Sequence, residues 1–416
     1  MNIKYRLILM NFIQFFVWGA WLITIANYWF GTKQWGGSDF GAIFLTLGIS
    51  SLFMPTLTGI IADRWINVEK LYGVLHILSG AMVFCFPLAN NPNTFFWLML
   101  AAMCFYMPTI ALANSIAYNA LKKGDYDIVK SFPPIRVWGT IGFIAAMWIT
   151  NLTGNKATEY QFYISSFASI ILGLYSFSLP KCPPSKQILE TSSFIKIFGL
   201  DAFKLFGNYK MALFFLFSMF LGASLQLTNM YGDVYLDEFK NIPEYTSSFV
   251  VRYSTIIMSI SQISETLFIL TIPFFLKKFG IKKVMLFSMI AWVLRFGLFA
   301  YGNPTGGLWM IILSCIIYGM AFDFFNISGS LFVEKQSNSN MRASAQGLFM
   351  MMTNGFGTII GSFVSGILID KYFMMENGAK NWHGIWLAFA GYSLVVAILF
   401  MVFFKHKHDP KSIENI

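Results

Sequence analysis

Two carboxylates stand inside stretches that are otherwise apolar, and they are the residues from which chemistry can be inferred. Glu265 lies near the middle of 255–276, TIIMSISQISETLFILTIPFFL, and Asp323 lies in AFDFFNISG, between phenylalanines. A helix needs about 20 residues to cross the hydrocarbon core of a bilayer. A charge at the centre of such a helix costs roughly 2.5–3.5 kcal/mol on insertion scales, and it usually faces a bundle interior or an aqueous cavity. Both acids are therefore candidate functional residues.

Helical spacing groups further polar and aromatic residues into faces, because residues one turn apart lie on the same side of a helix. The resulting sets are Gln262 with Glu265; Arg136, Thr140 and Phe143; Gln226 with Asn229; and Tyr318, Phe322, Asp323 and Asn326. Amides donate and accept hydrogen bonds, which suits sugar hydroxyls, and aromatic rings stack on flat heterocycles. Hydrogen bonding between helices explains any single amide, but the whole set favours a wet cavity for a small polar solute.

The two acids also suggest a coupling ion. Apolar surroundings favour the neutral form of a carboxyl group, whereas a nearby cation favours the charged form. An acid in a cavity that alternates between such environments can take up a proton on one side of the membrane and release it on the other. Asp323 is the better candidate for the titrating group, and Glu265 for contact with solute. The alternative for both is a structural ion pair between helices.

Two other polar positions have competing interpretations. Arg295, in WVLRFGLF, has no polar neighbours on its own helical face, which favours a structural ion pair with another helix. Gln14 and Trp18 are one turn apart, so they line a cavity or simply pack in the interior.

The four histidines do not cluster with acids or thiols at ligand spacing, so no metal site is expected. Neither a Walker loop nor a dinucleotide fingerprint is present; we expect no cofactor, and a proton gradient as the energy source.

The composition excludes a soluble globular protein. Of 416 residues, 56% are hydrophobic and 12% are charged, whereas soluble domains carry about 25% charged residues. The net charge of +10 does not indicate nucleic-acid binding, because the basic residues are scattered between apolar runs.

Twelve runs are long enough to span a membrane: 5–29, 38–62, 68–89, 93–121, 132–152, 159–180, 210–236, 248–276, 282–301, 306–333, 342–370 and 383–405. They predict an all-α integral membrane protein with twelve transmembrane helices in two six-helix halves.

The longest loop divides the chain. The predicted parts are an N-terminal half at 1–180, a cytoplasmic linker at 181–209, a C-terminal half at 210–405 and a cytoplasmic tail at 406–416. Within the linker, 194–206 is predicted to form a short amphipathic surface helix. With the N-terminus inside, 21 of the 29 lysines and arginines fall in inside segments and 6 in outside segments. The positive-inside rule therefore places both termini in the cytoplasm.

Small residues indicate where helices approach closely. Gly357, Gly361 and Ser365 repeat every four residues within the eleventh run. Such spacing is typical of tight helix contacts in membranes. It locates packing and not a substrate.

Four blocks resemble the bacterial nucleoside:proton symporters of the major facilitator superfamily. They are FPPIRVWGTIGF at 132–143, SISQISETLFILTIPFF at 259–275, AFDFFNISG at 321–329 and RASAQGLFM at 342–350. The resemblance runs from WGAW near the start to FAGYS in the last span, although the loop GIIADRWIN at 59–67 matches the superfamily pattern only in part. It implies the major facilitator fold in the bacterial inner membrane, and import of purine and pyrimidine nucleosides, such as uridine and adenosine, with protons by alternating access.

The same resemblance implies a set of site residues, which coincide with the faces that helical spacing defines. Contacts to the solute are expected from Arg136, Thr140, Phe143, Gln226, Asn229, Gln262, Glu265, Tyr318 and Phe322, with Asp323 and Glu265 in proton coupling. The expected partners are nucleoside, proton and membrane lipid, without nucleic acid, and the expected state is a monomer.

Several alternatives remain open on the sequence. The chain could move nucleosides down their gradient without protons, or carry one nucleoside such as xanthosine. A sugar or drug exporter would keep the fold and change the cargo. A nucleoside sensor in the membrane is a different class of protein, and the lack of a sizeable soluble domain argues against it.

Overall fold

The chain is helical along almost all of its described length. The computed structural model describes residues 2–184, 200–337 and 342–406. Within them, the β-type pairing is a single bridge between Met374 and Lys380, and nine helices are long and apolar enough to cross a membrane. The prediction of an all-α membrane protein is confirmed. The chain forms two compact units, Met1–Thr191 and Ser192–Ile416.

The N-terminal unit contains six long helices: α1 (Ile3–Gly19), α2 (Gly37–Arg64), α3 (Val68–Phe84), α4 (Pro92–Lys123), α5 (Ile128–Leu152) and α6 (Tyr160–Ser176). The start of α4 shows why they begin where they do. The Asn91 side chain accepts a hydrogen bond from the backbone N of Thr94 at 2.8 Å, and Pro92 occupies the first helical position. The cap satisfies an otherwise unpaired donor, and proline is preset for the first turn. Asp127 caps α5 in the same way.

The C-terminal unit contains α7 (Tyr209–Glu238), α8 (Ser254–Ile269), α9 (Ile272–Tyr301), α10 (Leu308–Gln336), α11 (Arg342–Met350), α12 (Thr358–Leu368) and α13 (Trp382–Phe403). Non-helical backbone at Gly280, with φ 78° and ψ 166°, divides α9 into two helical pieces. Glycine suits this left-handed region because it has no Cβ. π-helical segments, Met351–Gly357 and Ile369–Phe373, precede and follow α12.

Helices of the N-terminal unit approach to backbone contact at glycines. Gly142 of α5 faces the main chain of Phe12 on α1, and Gly19 of α1 faces the main chain of Phe143 on α5. A Cβ at either glycine would collide with the neighbouring backbone. Serines of α6 donate to carbonyls of α3, which joins that pair as well. Small residues therefore fix the position of α5, which carries three of the predicted site residues.

The predicted close contact at the small-residue repeat is confirmed in the C-terminal unit. Gly357 and Gly361 face Met219 and Ala223 of α7 so closely that a Cβ at either glycine would collide with that helix. Ser365 continues the row and lies 3.3 Å from a tyrosine hydroxyl of α7. These contacts set the rotation of α7 about its axis, and with it the direction in which the amide side chains of Gln226 and Asn229 point.

Several predicted boundaries differ from the structure for local reasons. The first run ends as α-helix at Gly19 and continues through a turn and the π-helical Asn27–Thr32. The eighth run is divided among the single turn Phe249–Arg252, α8 and the first piece of α9. The count of twelve spans and the domain limits therefore stay predictions. Of the predicted linker helix, Leu200–Gly207 forms a 3₁₀ helix, and 194–199 lies outside the described residues.

Gly142→Ala tests the close contact between α1 and α5. The added methyl group overpacks a backbone contact, which typically costs about 1–3 kcal/mol. For units of this size that corresponds to a fall of roughly 2–12 °C in unfolding temperature, measured on detergent-purified protein. The control is Gly297→Ala, since a Cβ there meets nothing within 4 Å. Its unfolding temperature should stay unchanged or rise, and equal losses in both variants would contradict the contact.

Candidate functional site

A backbone contact between α8 and α10 brings Glu265 and Asp323 together. Gly319 lies against the main chain of Ser264, and the Ser264 hydroxyl donates to the carbonyl of Ile316. Ser264 immediately precedes Glu265, and Gly319 lies one turn before Asp323. The contact therefore places the two acids close enough to interact electrostatically.

Asp323 lies in an apolar surrounding and is incompletely hydrogen-bonded. Its side chain is 4% exposed, and its Oδ2 has no hydrogen-bond partner among the described residues. The adjacent Phe324 ring is 4.9 Å from that of Phe275 and 6.0 Å from that of Phe268. A charged carboxylate is costly in such a place, because water is excluded and one oxygen is unpaired.

Tyr318 connects the acids to an aromatic surface and to a cation. Its ring stacks on Phe322 at 5.9 Å with an interplanar angle of 7°, and meets Trp292 edge-on at 5.9 Å and 90°. The guanidinium of Arg295 lies 4.7 Å from the centre of the same ring. Tyr318 also interacts electrostatically with both acids. Tyr318 thus contacts Phe322 and Arg295 and interacts electrostatically with both acids.

Arg295 has neutral partners, and the predicted ion pair is absent from the described residues. The side chain is fully buried. Its Nε donates to the Thr228 hydroxyl at 3.3 Å, and its Nη1 donates to the carbonyl of Ser314 at 2.7 Å. The guanidinium lies between the rings of Tyr318 and Phe299, 5.1 Å from the latter. Thr228 lies on α7, and Ser314 and Tyr318 lie on α10, so the sequence of α9 alone could not show these three partners.

The amides of α7 and α8 carry unpaired polar atoms. Gln226 is 4% exposed, and its Nε2 has no hydrogen-bond partner among the described residues. Gln262 is half-buried, and its Oε1 likewise has none. Asn229, one turn after Gln226, is half-buried. Unpaired buried atoms cost about 1–3 kcal/mol each, so these amides are places where a ligand or water would bond.

A small cavity reaches the aromatic face of α10. It measures about 10 Å³ and is lined in part by Phe322, Asn326 and Trp292. That volume is close to the minimum for one water molecule, so this cavity by itself does not hold a nucleoside-sized solute. It does place Asn326 beside Phe322, as the spacing predicted.

The three predicted residues of the N-terminal unit share one face of α5 and are half-buried. The Arg136 guanidinium lies 4.0 Å from the centre of the Phe15 ring on α1, and Thr140 and Phe143 follow along the same face. Gly139 lies under the guanidinium and the Phe15 ring, where a Cβ would collide with both. Gly139 therefore leaves the space that the Arg136 guanidinium and the Phe15 ring occupy.

Gln14 belongs to a closed network and not to a cavity wall. Its Oε1 accepts from Tyr72 OH at 2.6 Å and lies 2.8 Å from His76 Nε2, and its Nε2 donates to Thr109 at 2.9 Å. His76 Nδ1 lies 3.0 Å from the Ser169 hydroxyl. All of these side chains are buried. Sequence reasoning missed this network, since its members lie on four helices and no local pattern connects them.

The histidines that the structure describes have structural contacts. Besides His76 in the network, His383 Nδ1 lies 2.8 Å from the carbonyl of Ala300, and the His406 ring meets Phe332 at 5.5 Å. His408 lies outside the described residues. Within the described ranges, no three His, Cys, Asp or Glu residues are grouped so as to hold a metal ion. The expectation of no metal site stays a prediction.

Comparison with known proteins covers the whole chain. A family model described as "Nucleoside H+ symporter" matches residues 1–409. The nucleoside permease NupG of Escherichia coli (strain K12) is 50% identical over 409 residues, which cover 98% of this chain and 97% of the permease. The xanthosine permease of the same bacterium is 49% identical over 416 residues, 100% and 99% of the two chains. The crystal structure of nucleoside transporter NupG (D323A mutant) matches with a TM-score of 0.94 at 50% identity, over 97% of this chain and 100% of that one.

Arg295→Met tests whether the buried cation serves the site or the fold. Arg295 is buried with neutral hydrogen-bond partners, so no carboxylate offsets the desolvation cost of its charge, and an apolar side chain of similar length removes that cost. We expect the unfolding temperature to stay within a few degrees of the wild type, while solute affinity falls by about tenfold or more through loss of the Tyr318 contact. Calorimetric titration and thermal unfolding measure the two effects. Unchanged affinity, or a loss of affinity that merely follows unfolding, would contradict a role in the site.

Proposed function

The chain belongs to the nucleoside H⁺ symporter family, and on this premise we propose that it imports purine and pyrimidine nucleosides together with protons by alternating access. It is a multi-pass membrane transporter and not an enzyme. One observation supports proton coupling most directly. Glu265 and Asp323 interact with each other and with Tyr318, and one Asp323 oxygen has no hydrogen-bond partner among the described residues.

The paired acids suit a proton that moves with the solute. Two neighbouring carboxylates do not readily ionise together, because their charges repel. A proton on Asp323 removes a charge that the apolar surrounding disfavours. Release then requires a conformation in which water or a cation reaches the pair. We propose Asp323 as the titrating group, and the half-buried Glu265 as the acid that contacts both proton and solute.

The C-terminal unit offers groups for both parts of a nucleoside. The half-buried Phe322 ring, held parallel to Tyr318, is a stacking surface for a base. The incompletely bonded amides of Gln226 and Gln262, with Asn229 nearby, suit ribose hydroxyls or base edges. On the resemblance, Arg136, Thr140 and Phe143 of the N-terminal unit are proposed as further contacts.

Base preference is a separate question, because one xanthosine permease is almost as similar to the chain as one nucleoside permease is. A site rejects an analogue strongly only where it hydrogen-bonds the distinguishing group. We propose broad nucleoside uptake, with restriction to xanthosine as the alternative. Competition of labelled uridine uptake by other nucleosides, free bases and sugars decides between them: inhibition by uridine and adenosine supports broad uptake, and inhibition by xanthosine alone supports restriction.

The remaining features are proposed together. The chain lies in the bacterial inner membrane with both termini in the cytoplasm, as its basic residues indicate. It acts as a monomer among membrane lipids, without nucleic acid or cofactor, and the proton gradient supplies the energy.

Asp323→Asn and Glu265→Gln test proton coupling. The amides cannot carry the exchanged proton, so uridine-driven proton flux in proteoliposomes should disappear. Counterflow without a gradient should persist in Asp323→Asn, because exchange needs solute binding and not proton release. The matched control is Asp237→Asn, which changes an acid of the same unit whose partner is Lys240 at 2.5 Å, and it should keep the flux. Uphill uptake retained in both test variants would rule out coupling through these acids.

Phe143→Ala tests the contribution of α5 to solute binding. Loss of a stacking ring typically costs about 1–3 kcal/mol, so the dissociation constant for uridine should rise about 5- to 150-fold. The control is Phe167→Ala, which removes a ring of the same unit that is 59% exposed and should leave affinity unchanged. Calorimetry that gives equal affinities for the two variants would exclude Phe143 from the binding site.

A further inference from the structure

A basic groove lies in the C-terminal unit where α7 begins and α13 ends. It measures about 600 Å³ and is lined by Lys210, Lys282, Lys405 and His406. Of these lining residues none is acidic. The volume falls in the range of binding sites for small ligands. The three lysines favour a ligand with a negative charge.

Three of the four lining residues lie at defined structural features, and two of them have side-chain contacts there. Lys210 is the second residue of α7, and its backbone N donates to the capping Asn208 at 3.0 Å. Lys282 follows the break at Gly280, and its Nζ donates to the carbonyl of Met401 at 3.1 Å. The His406 ring lies edge-on to a buried aromatic ring of α10. The Lys282 ammonium and the His406 ring are therefore held by contacts within the unit.

Two of the lysines that line this groove stand in the first turn of a helix. Lys210 stands in the first turn of α7, and Lys282 stands in the first turn of the second piece of α9. The N-terminal end of a helix carries partial positive charge, which disfavours cations and favours anions. Neighbouring lysines also repel each other. An anion between them would reverse the sign of both effects.

The surface beside the groove indicates that the anion carries an apolar tail. In the last turn of α13, Met401, Val402 and Phe403 are 51%, 54% and 48% exposed. Met401 belongs to both features, since its carbonyl holds Lys282 while its side chain faces outward. Basic pockets beside exposed apolar surface at the end of membrane helices suit phospholipid head groups.

We propose that this groove binds the phosphate of an anionic phospholipid, with its acyl chains along the exposed end of α13. The recognised chemistry is a phosphate ester, which a free phosphate shares, but the apolar surface favours the lipid. The bound lipid joins the start of α7 to the break in α9 and the end of α13. The proposal is independent of which solute the chain carries, and the proposed orientation places the site in the cytoplasmic leaflet.

The test uses the purified full-length chain in detergent and native mass spectrometry. The protein is titrated with phosphatidylglycerol and, in a separate series, with phosphatidylcholine that has the same acyl chains. Inorganic phosphate is then added as a competitor for the bound lipid. The test variant is Lys210→Gln/Lys282→Gln/Lys405→Gln. The control, Lys70→Gln/Lys122→Gln/Lys283→Gln, removes the same charge from exposed positions outside the groove. The single variants Lys282→Gln and Lys283→Gln compare a lysine that lines the groove with the next residue of the chain, which does not.

The expected result is tight phosphatidylglycerol binding by wild type and control, and affinity lower by about tenfold or more in the test variant. Phosphatidylglycerol should also raise the unfolding temperature of wild type and control but not of the test variant, since binding to the native state stabilises it. An equal loss of phosphatidylglycerol affinity in the test and control variants would contradict the proposed binding site. Displacement of the lipid by millimolar inorganic phosphate, or equal binding of phosphatidylcholine, would overturn the assignment to an anionic lipid.

Discussion

The cost of an unpaired polar group in an apolar interior separates the polar network around Gln14 from the candidate residues Asp323, Gln226 and Gln262. Around Gln14, carbonyl, amide, hydroxyl and imidazole groups satisfy one another across four helices. By contrast, Asp323, Gln226 and Gln262 each keep a side-chain atom without a hydrogen-bond partner among the described residues. Satisfied polar networks rigidify a core. In the proposed mechanism, a ligand, water or a proton completes the unsatisfied groups of Asp323, Gln226 and Gln262.

Close helix contacts determine which polar groups meet. Gly319 against Ser264 brings the acid of α8 to the acid of α10, and Gly142 against Phe12 fixes the face of α5. In neither case does the glycine touch the solute in the proposed mechanism. Because these contacts are between main chains, a single methyl group would shift whole helices and not one side chain.

The sequence predicted the parts of this structure that depend on local pattern. Helix type follows from apolar runs, and the faces of Glu265, Tyr318 and Phe322 follow from the 3.6-residue period. The small-residue repeat at Gly357 and Gly361 also identified a real contact. These features are properties of one helix at a time, which is why one sequence was sufficient for them.

What the sequence did not predict depends on pairs of helices. Arg295 has no polar neighbour on its own face, yet it donates to Thr228 of α7 and to the carbonyl of Ser314 on α10. His76 meets Gln14 across a separation of 62 residues. The division of the eighth run also escaped prediction. Pro273 stands in the first turn of α9 and removes the backbone hydrogen bond to Ile269, where α8 ends, but proline is also tolerated inside membrane helices, so it did not by itself indicate a break.

The surroundings of Tyr318 offer a short physical link between proton and solute. Its ring lies parallel to Phe322, the proposed stacking surface, and its other contacts are the Arg295 cation and, electrostatically, the two acids. Ionisation of the acids changes the electrostatic surroundings of Tyr318, because the ring interacts with both of them. In the proposed mechanism, a nucleoside stacked on Phe322 therefore binds more strongly to one protonation state of the acids. By linkage the nucleoside must favour proton binding to the same degree, which is the thermodynamic requirement for the two to move together.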